Sequence, residues 1–283
     1  MMIAVTAASG QLGRATVKAL IDMLGVESVL AVARNPEKAA DLGVPVKKGD
    51  YDSQSDFEYA LQGVDAVLLV SGMDAPDKRI GQHRNVIQGA RAAAVKKIVY
   101  TSVQGAESGN AFSPIIQSNR QTELDVRASG LDWVIGRNGI YIEPDIAYIE
   151  NYQAAGEIAN CAGKGKCGYT TRGELAYAYA RMLTGNAHNG RTYNLHGDAI
   201  TQAELADYLN RAFGISLVYR DMDVNEYRQE RVEELGNFIG TVIAGIYTGI
   251  RQGACNNPSD YAQAAGRPHQ SWDACFSKLK VAE

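Results

Sequence analysis

The sequence predicts an α/β fold on two observations: short, wholly apolar runs alternate with amphipathic stretches, and a glycine-bearing turn joins the first of each. The arrangement expected is a doubly wound parallel sheet of Rossmann type followed by a smaller, mainly helical C-terminal region. Strands buried on both faces read as continuous apolar runs, and helical crossovers between them enforce parallel pairing. Ile3-Ala4-Val5-Thr6 is the first such run. Residues 12–24 place Leu12, Ala15, Thr16, Ala19, Leu20, Met23 and Leu24 on one helical face, and Gly25 supplies a stop. Val29-Leu30-Ala31-Val32-Ala33 is the second strand, and Val44-Pro45-Val46 leads to Gly49-Asp50-Tyr51. Ser53, with Asp56 three residues on, caps a helix carrying Phe57, Ala60 and Leu61. A strand over 65–70, a helix through Ile80, His83, Val86, Ile87 and Ala90, and a strand over 97–100 follow. A polar loop over 105–113 then opens a helix that runs to Ser129-Gly130 and feeds a strand over 131–135.

After Arg137 this alternation stops. Residues 141–151 are rich in tyrosine and carboxylates, Gly163-Lys164-Gly165-Lys166 reads as a turn, and 171–184 as an Ala/Tyr-rich helix. From Thr201 onward the pattern is helical, with one strand at Leu217-Val218-Tyr219. No repeat or flexible linker appears. A sheet domain over 1–138 and a cap over 139–283 are expected, interleaved, with the chain able to return to the sheet near 190–196.

At 46% hydrophobic and 21% charged, 283 residues can bury the core of one large domain or two closely packed ones. A net charge of -4 gives no electrostatic reason for nucleic acid or an anionic membrane as partner. No apolar run nears the roughly 20 residues of a bilayer span, and the N-terminus lacks the basic region and cleavage site of a secretory signal. Cys161, Cys167, Cys255 and Cys275 form no Cys-x-x-Cys pair, and His83, His188, His196 and His269 are scattered, so no metal site is expected. The chain reads as a cytoplasmic protein with reduced thiols, a monomer or homodimer acting on a small molecule.

The most specific feature is Thr6-Ala7-Ala8-Ser9-Gly10-Gln11-Leu12-Gly13, between the first strand and the first helix. A pyrophosphate can meet free backbone N–H groups there, at a helix N-terminus. Gly10 lets the backbone approach the phosphates and Gly13 lets the helix pack closely; Ala7 stands where such loops usually open with glycine. The end of the second strand chooses the cofactor. An NAD site usually has a carboxylate there, about 20 residues beyond the loop, for the ribose 2′-hydroxyl. Here Arg34 occupies that place, with Lys38 a helical turn on, which suits the 2′-phosphate of NADPH.

Ala-Ser-Gly-Gln-Leu-Gly at the first turn, Ala-Arg-Asn-Pro-Glu-Lys-Ala after the second strand and Gly-Asp-Tyr at 49–51 resemble the NmrA-like atypical short-chain dehydrogenases. So do Gln82-His83-Arg84-Asn85-Val86-Ile87, Tyr100-Thr101-Ser102, Arg137-Asn138-Gly139, 171–176 and 190–195. Within that family the chain is most like the bacterial NAD(P)H:quinone oxidoreductases and triphenylmethane reductases. The resemblance implies an N-terminal NADPH-binding domain, a smaller C-terminal domain and a substrate cleft between them. It implies that Ser9, Gly10, Gln11 and Leu12 cradle the pyrophosphate, that Arg34 and Lys38 meet the 2′-phosphate, and that Asp50 and Tyr51 flank adenine. Ser71, Gly72, Thr101 and Asn138 would line the path toward the nicotinamide.

Ordinary short-chain dehydrogenases use a Tyr-x-x-x-Lys pair to protonate a carbonyl oxygen. No tyrosine here has lysine four residues on; Arg181, Arg231 and Arg251 stand nearest to that pattern. By resemblance, a His or Lys at the start of the helix before the sixth strand, four residues before a Glu, is common, and Asn119 with Glu123 matches that pair. Asparagine cannot titrate, so Tyr141 and Asn119 are the catalytic candidates left, with Thr101 and Ser102 nearby. His83, and Tyr148 with Tyr152 one turn apart, read as packing residues. A site this poor in acids fits hydride delivery to a quinone-like, electron-poor aromatic acceptor. Reduction of a carbonyl or conjugated double bond in a specialised metabolite, and NADP(H) sensing without turnover, are the alternatives.

Overall fold

The computed structural model describes residues 1–281. The chain runs β1 (Ile3–Val5), α1 (Gln11–Leu24), β2 (Val29–Ala33), β3 (Val46–Lys48), α2 (Gln54–Ala60), β4 (Ala66–Leu69), α3 (Pro76–Ala92), β5 (Lys97–Val103), α4 (Ser113–Arg127) and β6 (Asp132–Asn138). There follow β7 (Ile140–Tyr141), α5 (Glu143–Ala147), α6 (Ile149–Ala155), β8 (Glu157–Asn160), β9 (Tyr169–Thr170), α7 (Arg172–Leu183) and β10 (Arg191–Leu195). The last elements are α8 (Gln202–Phe213), β11 (Val218–Asp221), α9 (Val224–Leu235), α10 (Asn237–Arg251), α11 (Tyr261–Ala265) and α12 (Trp272–Val281).

One sheet carries the order β10-β6-β5-β4-β1-β2-β3 with every pair parallel. The strand order therefore reverses between β1 and β4, and a crevice opens there at the carboxyl ends of the strands. β1, β2 and β4 are buried at every residue, as their unbroken apolar sequence requires. The side chains of β1, β2 and β4 alternate between two cores, one against α1 and α7, the other against α2 and α3. Caps fall where the sequence puts them: Ser53 accepts from the Asp56 N–H at the start of α2, and Gly25 ends α1 at φ 80°. Thr201 and Glu204 close a reciprocal capping box on α8. Among the described residues no helix is long and apolar enough to cross a membrane.

One helical face differs from expectation. The buried stripe of α1 is Leu12, Gly13, Thr16, Val17 and Leu20, whereas Leu24 is exposed. The helix turns toward Val17 because Gly13, with no side chain, seats directly on the preceding turn. The chain also recrosses after Asn138. α7 packs on α1 and β10 pairs with β6, so a cut at 138 divides one layer: Leu175, Ala178, Tyr179 and Met182 share the core of Leu12, Val17 and Leu20. The cap has its own core, around Ile142, Ile158, Tyr169, Leu205, Trp272 and Phe276.

A buried carboxylate ties the crossover to the sheet. Glu123 on α4 is 0% exposed and receives Arg137 from β6 at 2.9 and 2.8 Å, Arg120 at 2.8 Å, Arg127 at 3.1 Å and the Ser102 hydroxyl from β5 at 2.7 Å. Burial raises the Glu123 carboxyl, but the Arg137 hydrogen bond and the Arg120 charge outweigh it and hold the group below its ordinary value of 4.5. A carboxyl lowered by folding adds stability that is complete above its unfolded value and is lost as pH falls through its folded one. Glu123→Gln should therefore cost about 3 kcal/mol at neutral pH. In urea denaturation the gap between the two proteins should narrow steadily below about pH 4.5; a gap equally wide at pH 7 and in acid would mean that Glu123 does not act as a carboxylate.

Candidate cofactor and substrate site

The turn after β1 is shaped by two close approaches. Ala7 adopts φ 48°, a left-handed conformation that costs a non-glycine residue about 1 kcal/mol. A Cβ on Gly13 would lie 2.4 Å from the Ala7 carbonyl oxygen and 2.9 Å from the Ala8 Cα, so this position admits no side chain. A Cβ on Gly10 would meet only the Ala7 oxygen, at 3.3 Å. Gly10 caps α1 without a side-chain hydrogen bond, and the first turn of α1 holds no carboxylate. Its amides are thus offered to an anion from outside. Gly10 and Gln11 are exposed and Ser9 is half-buried; the Leu12 side chain lies in the sheet core, leaving only its N–H to the site.

At the end of β2 Arg34 is exposed and makes no hydrogen bond or ion pair among the described residues, although Asp74 feels its charge. Lys38 is exposed beside it on the turn Pro36–Leu42. Arg14, which the sequence reading passed over, reaches across from α1 to the Lys38 carbonyl and to Asp41 at 2.6 Å. Three cations therefore meet at this corner. Tyr51 fastens the β1 turn to β4: its hydroxyl lies 2.6 Å from Thr6 Oγ1 and donates to the Val70 carbonyl at 2.6 Å, while its ring packs on Phe57 and His83. Asp50 accepts from the Asp52 N–H and shapes the turn that carries Tyr51.

The far half of the edge is built by Ser71, Gly72, Thr101 and Asn138. The Ser71 N–H donates to Thr101 Oγ1 at 2.8 Å, so Thr101, only 2% exposed, holds the loop in place. Gly72 donates to His83 Nε2 at 2.9 Å, which leaves the proton on Nδ1 facing Thr122. Burial, aided by the Arg79 charge, pushes His83 down to about 3, so it is a neutral prop. Asn138 Oδ1 accepts from Tyr179 at 2.5 Å and its Nδ2 donates to Tyr141 Oη at 3.2 Å. Tyr141 thereby keeps its own O–H unengaged among the described residues. Burial holds its phenol above the ordinary range despite the Asn138 bond and the Arg172 guanidinium over its ring.

Asn119 needs correction. It stands mid-way along α4, not at its start, and is 1% exposed. Its Oδ1 takes Tyr100 at 2.7 Å, Ser71 at 3.0 Å and Arg79 at 3.3 Å, and its Nδ2 donates to the Ile115 carbonyl. Every polar atom is spent inside the fold, so it supports Ser71 and does not reach a substrate. Ser102 is likewise committed, to Glu123. Tyr148 and Tyr152 pack edge to face on each other, 5.2 Å apart, and bond Glu234 and Asp145. Arg79 and Tyr179 are the residues the sequence reading missed; the signal for Arg79 was a charged residue on the same helical stripe as His83, Val86 and Ala90.

An apolar groove of about 290 Å³, lined by Pro76, Pro114, Ile115, Phe238 and Val242 with Arg228, opens within a turn of Asn119. A larger one, about 480 Å³, lies outside α1 and α7 around Met23, Glu174 and Tyr177 and contains none of the residues above. The geometry of the turn separates two substitutions. Gly10→Val should leave the protein folded and abolish dinucleotide binding, because the added methyls fill the phosphate approach. Gly13→Ala should lower stability by about 1–3 kcal/mol, since backbone must move. Calorimetry and thermal melts on both variants check this; unchanged affinity in a folded Gly10→Val protein would remove the turn from the site.

Residues 7–185 match the family model described as NAD(P)H-binding. Quinone oxidoreductase 2 of Escherichia coli is 35% identical over 80% of this chain and 79% of its own. The crystal structure of the NADPH-dependent quinone oxidoreductase from that organism, complexed with NADPH, superposes with TM-score 0.90 at 31% identity, covering 99% and 100% of the two chains. Triphenylmethane reductase of Citrobacter sp., complexed with NADP(H), gives TM-score 0.88 at 31% identity, over 99% and 100%. An NmrA-like family domain-containing oxidoreductase of Aspergillus flavus is 28% identical over 80% of this chain and 76% of its own. The chain belongs to the NAD(P)H-binding family, among its NmrA-like oxidoreductases.

Proposed function

We propose that this protein is an NADPH-dependent oxidoreductase whose acceptor is a quinone or another planar, electron-poor aromatic molecule. NADPH, when bound, supplies a hydride. The observation that carries the reading is the division of the edge into a corner of exposed cations and a reacting half without a ready acid. At the first, the open amides of Gln11 and Leu12 would hold the pyrophosphate, and Arg34 with Lys38 the 2′-phosphate. Asp50 and Tyr51 would border the adenine. At the second, Ser71, Gly72 and Asn138 would orient the reacting ring, and Tyr141 offers a phenol that stays protonated at neutral pH. A quinone asks little of such a site, because the reduced ring spreads its negative charge and takes a proton from water.

The free Tyr141 O–H also favours a second reading, reduction of an unactivated carbonyl, in which the phenol would protonate the new alkoxide. Tyr141→Phe separates the two. For a quinone-type acceptor single-turnover NADPH oxidation should slow about tenfold, roughly 1.4 kcal/mol for one lost hydrogen bond. A loss beyond about 10³ with affinity unchanged is what general acid catalysis would give, and would overturn the first reading.

The cofactor preference has its own test. The unmodified protein should bind NADPH markedly tighter than NADH, and Arg34→Glu should erase or invert that, losing about 2 kcal/mol against NADPH. Equal dissociation constants in the unmodified protein would remove Arg34 from the site.

A further inference from the structure

Arg79, the fourth residue of α3, is a buried cation without a carboxylate. It is 4% exposed; its Nη2 donates to Ser71 Oγ at 2.7 Å and to Asn119 Oδ1 at 3.3 Å, and its Nε is buried without a partner among the described residues. The same fold pairs its other inward-facing guanidiniums, placing Arg120, Arg127 and Arg137 on Glu123 and Arg267 on Glu174. Around Arg79 the polar groups are all neutral: Ser71, Asn119, the neutral His83 ring and Tyr100, a buried phenol raised to about 12. The N-terminal turn of α3 adds potential of the same sign, offset in part by the exposed carboxylate of Asp77 in that turn. Leaving a charge buried and unpaired is costly, and such a cost persists where a ligand supplies the missing charge.

Of the groups around Arg79, Ser71 is part-exposed, whereas Asn119, His83 and Tyr100 are buried. Ser71 is half-buried just beyond the carboxyl end of β4, on the side of the switch point away from the cation corner. Its Oγ accepts from Arg79, while the Asn119 oxygen it faces at 3.0 Å is already served by Tyr100 at 2.7 Å. The Ser71 proton can therefore turn outward to a ligand oxygen without leaving Asn119 unsatisfied. A hydroxyl polarised from behind by a guanidinium is a stronger donor to a developing oxyanion than to a neutral carbonyl.

We propose that Arg79, acting through Ser71 Oγ, selects the acceptor by charge. It favours neutral acceptors that become oxyanions on taking up a hydride and disfavours acceptors that carry a permanent positive charge. This rests on the oxidoreductase reading above. A neutral quinone that gains a hydride, one proton with two electrons, from the reduced cofactor becomes a hydroquinone monoanion and then draws one proton from water. A cationic triphenylmethane dye that gains the same hydride at its central carbon becomes neutral. Only the first gains from a positive charge under Ser71. Arg79 is thus a positioning residue, and Ser71 the group that touches the acceptor.

The test compares Arg79→Met, Arg79→Lys and the unmodified protein. Without acceptor, Arg79→Met should melt at a higher temperature, because an unpaired buried charge is gone, and bind NADPH with unchanged Kd. By calorimetry it should bind para-nitrophenolate, an oxyanion that takes no hydride, at least tenfold more weakly and the cationic dye crystal violet at least tenfold more tightly. With menadione its kcat should fall at least tenfold with KM little changed, while kcat/KM for crystal violet rises; Arg79→Lys should keep the preferences of the unmodified protein. Equal changes for the two acceptors, or a lower melting temperature with lost NADPH binding, would make Arg79 structural and overturn the proposal. Should Arg79→Met fail to fold, Ser71→Ala must reproduce the weaker para-nitrophenolate binding, or the relay is wrong. If the unmodified protein oxidises NADPH with neither acceptor, the oxidoreductase reading fails, and the two binding constants judge the charge of the site independently.

Discussion

Between the Ala7 carbonyl and the Cα of Gly13 there is no room for a methyl group, and the rest of the molecule is arranged around that contact. It brings the first turn of α1 down onto the end of β1, with Ala7 bent into a left-handed conformation to make way. Seated there, α1 points its open amides over the carboxyl edge of the sheet and turns Leu12, Val17 and Leu20 toward α7. α7 in turn carries Tyr179, which reaches the sheet to hold Asn138, and Asn138 holds Tyr141. A single close approach near residue 13 thus reaches the reacting end of the crevice through two helices and two hydrogen bonds.

Charge divides that crevice as sharply as topology does. Its outer corner holds the exposed cations Arg34 and Lys38 beside the half-buried Arg14, where water screens them and a polyanion is attracted at little cost in desolvation. Its inner half carries the neutral groups of Ser71, Asn138 and Tyr141, with the Arg79 guanidinium hidden behind Ser71 and that of Arg172 over the Tyr141 ring. His83 and Asn119, which as residue types suggest catalysis, are spent on Gly72 and Ser71. Their work is geometric: they fix the loop of Ser71 and Gly72. On the proposed reading the missing tyrosine–lysine pair costs little, because a site that stabilised an anion by position would not need to protonate it quickly.

Most of the sheet was legible because burial on both faces leaves an unmistakable apolar signature, and β2 lies where its five apolar residues place it. The cap was less legible for the opposite reason. β10 reads Arg-Thr-Tyr-Asn-Leu, an edge strand whose alternation leaves Arg191 exposed and buries Tyr193 and Leu195, so its return to the sheet showed only as a short resemblance. Arg34 stood out in the sequence because it stands where such sites usually have a carboxylate. Arg79 was passed over because a charged residue in a helix normally marks the solvent face, although it shares the buried stripe of His83, Val86 and Ala90. Asn119 was placed correctly in sequence but not in space: its helix begins at Ser113, which leaves it in the buried middle.

Diffraction from crystals grown with NADPH bears on all of this at once. The pyrophosphate oxygens should accept from the Gln11 and Leu12 amides at about 3 Å, the 2′-phosphate should lie in the fork of Arg34, and the nicotinamide should rest against Ser71 and Gly72. A cofactor whose 2′-phosphate points into solvent away from Arg34, or whose nicotinamide lies on the β2–β3 side of the switch point, would contradict the division of the edge on which the functional reading stands.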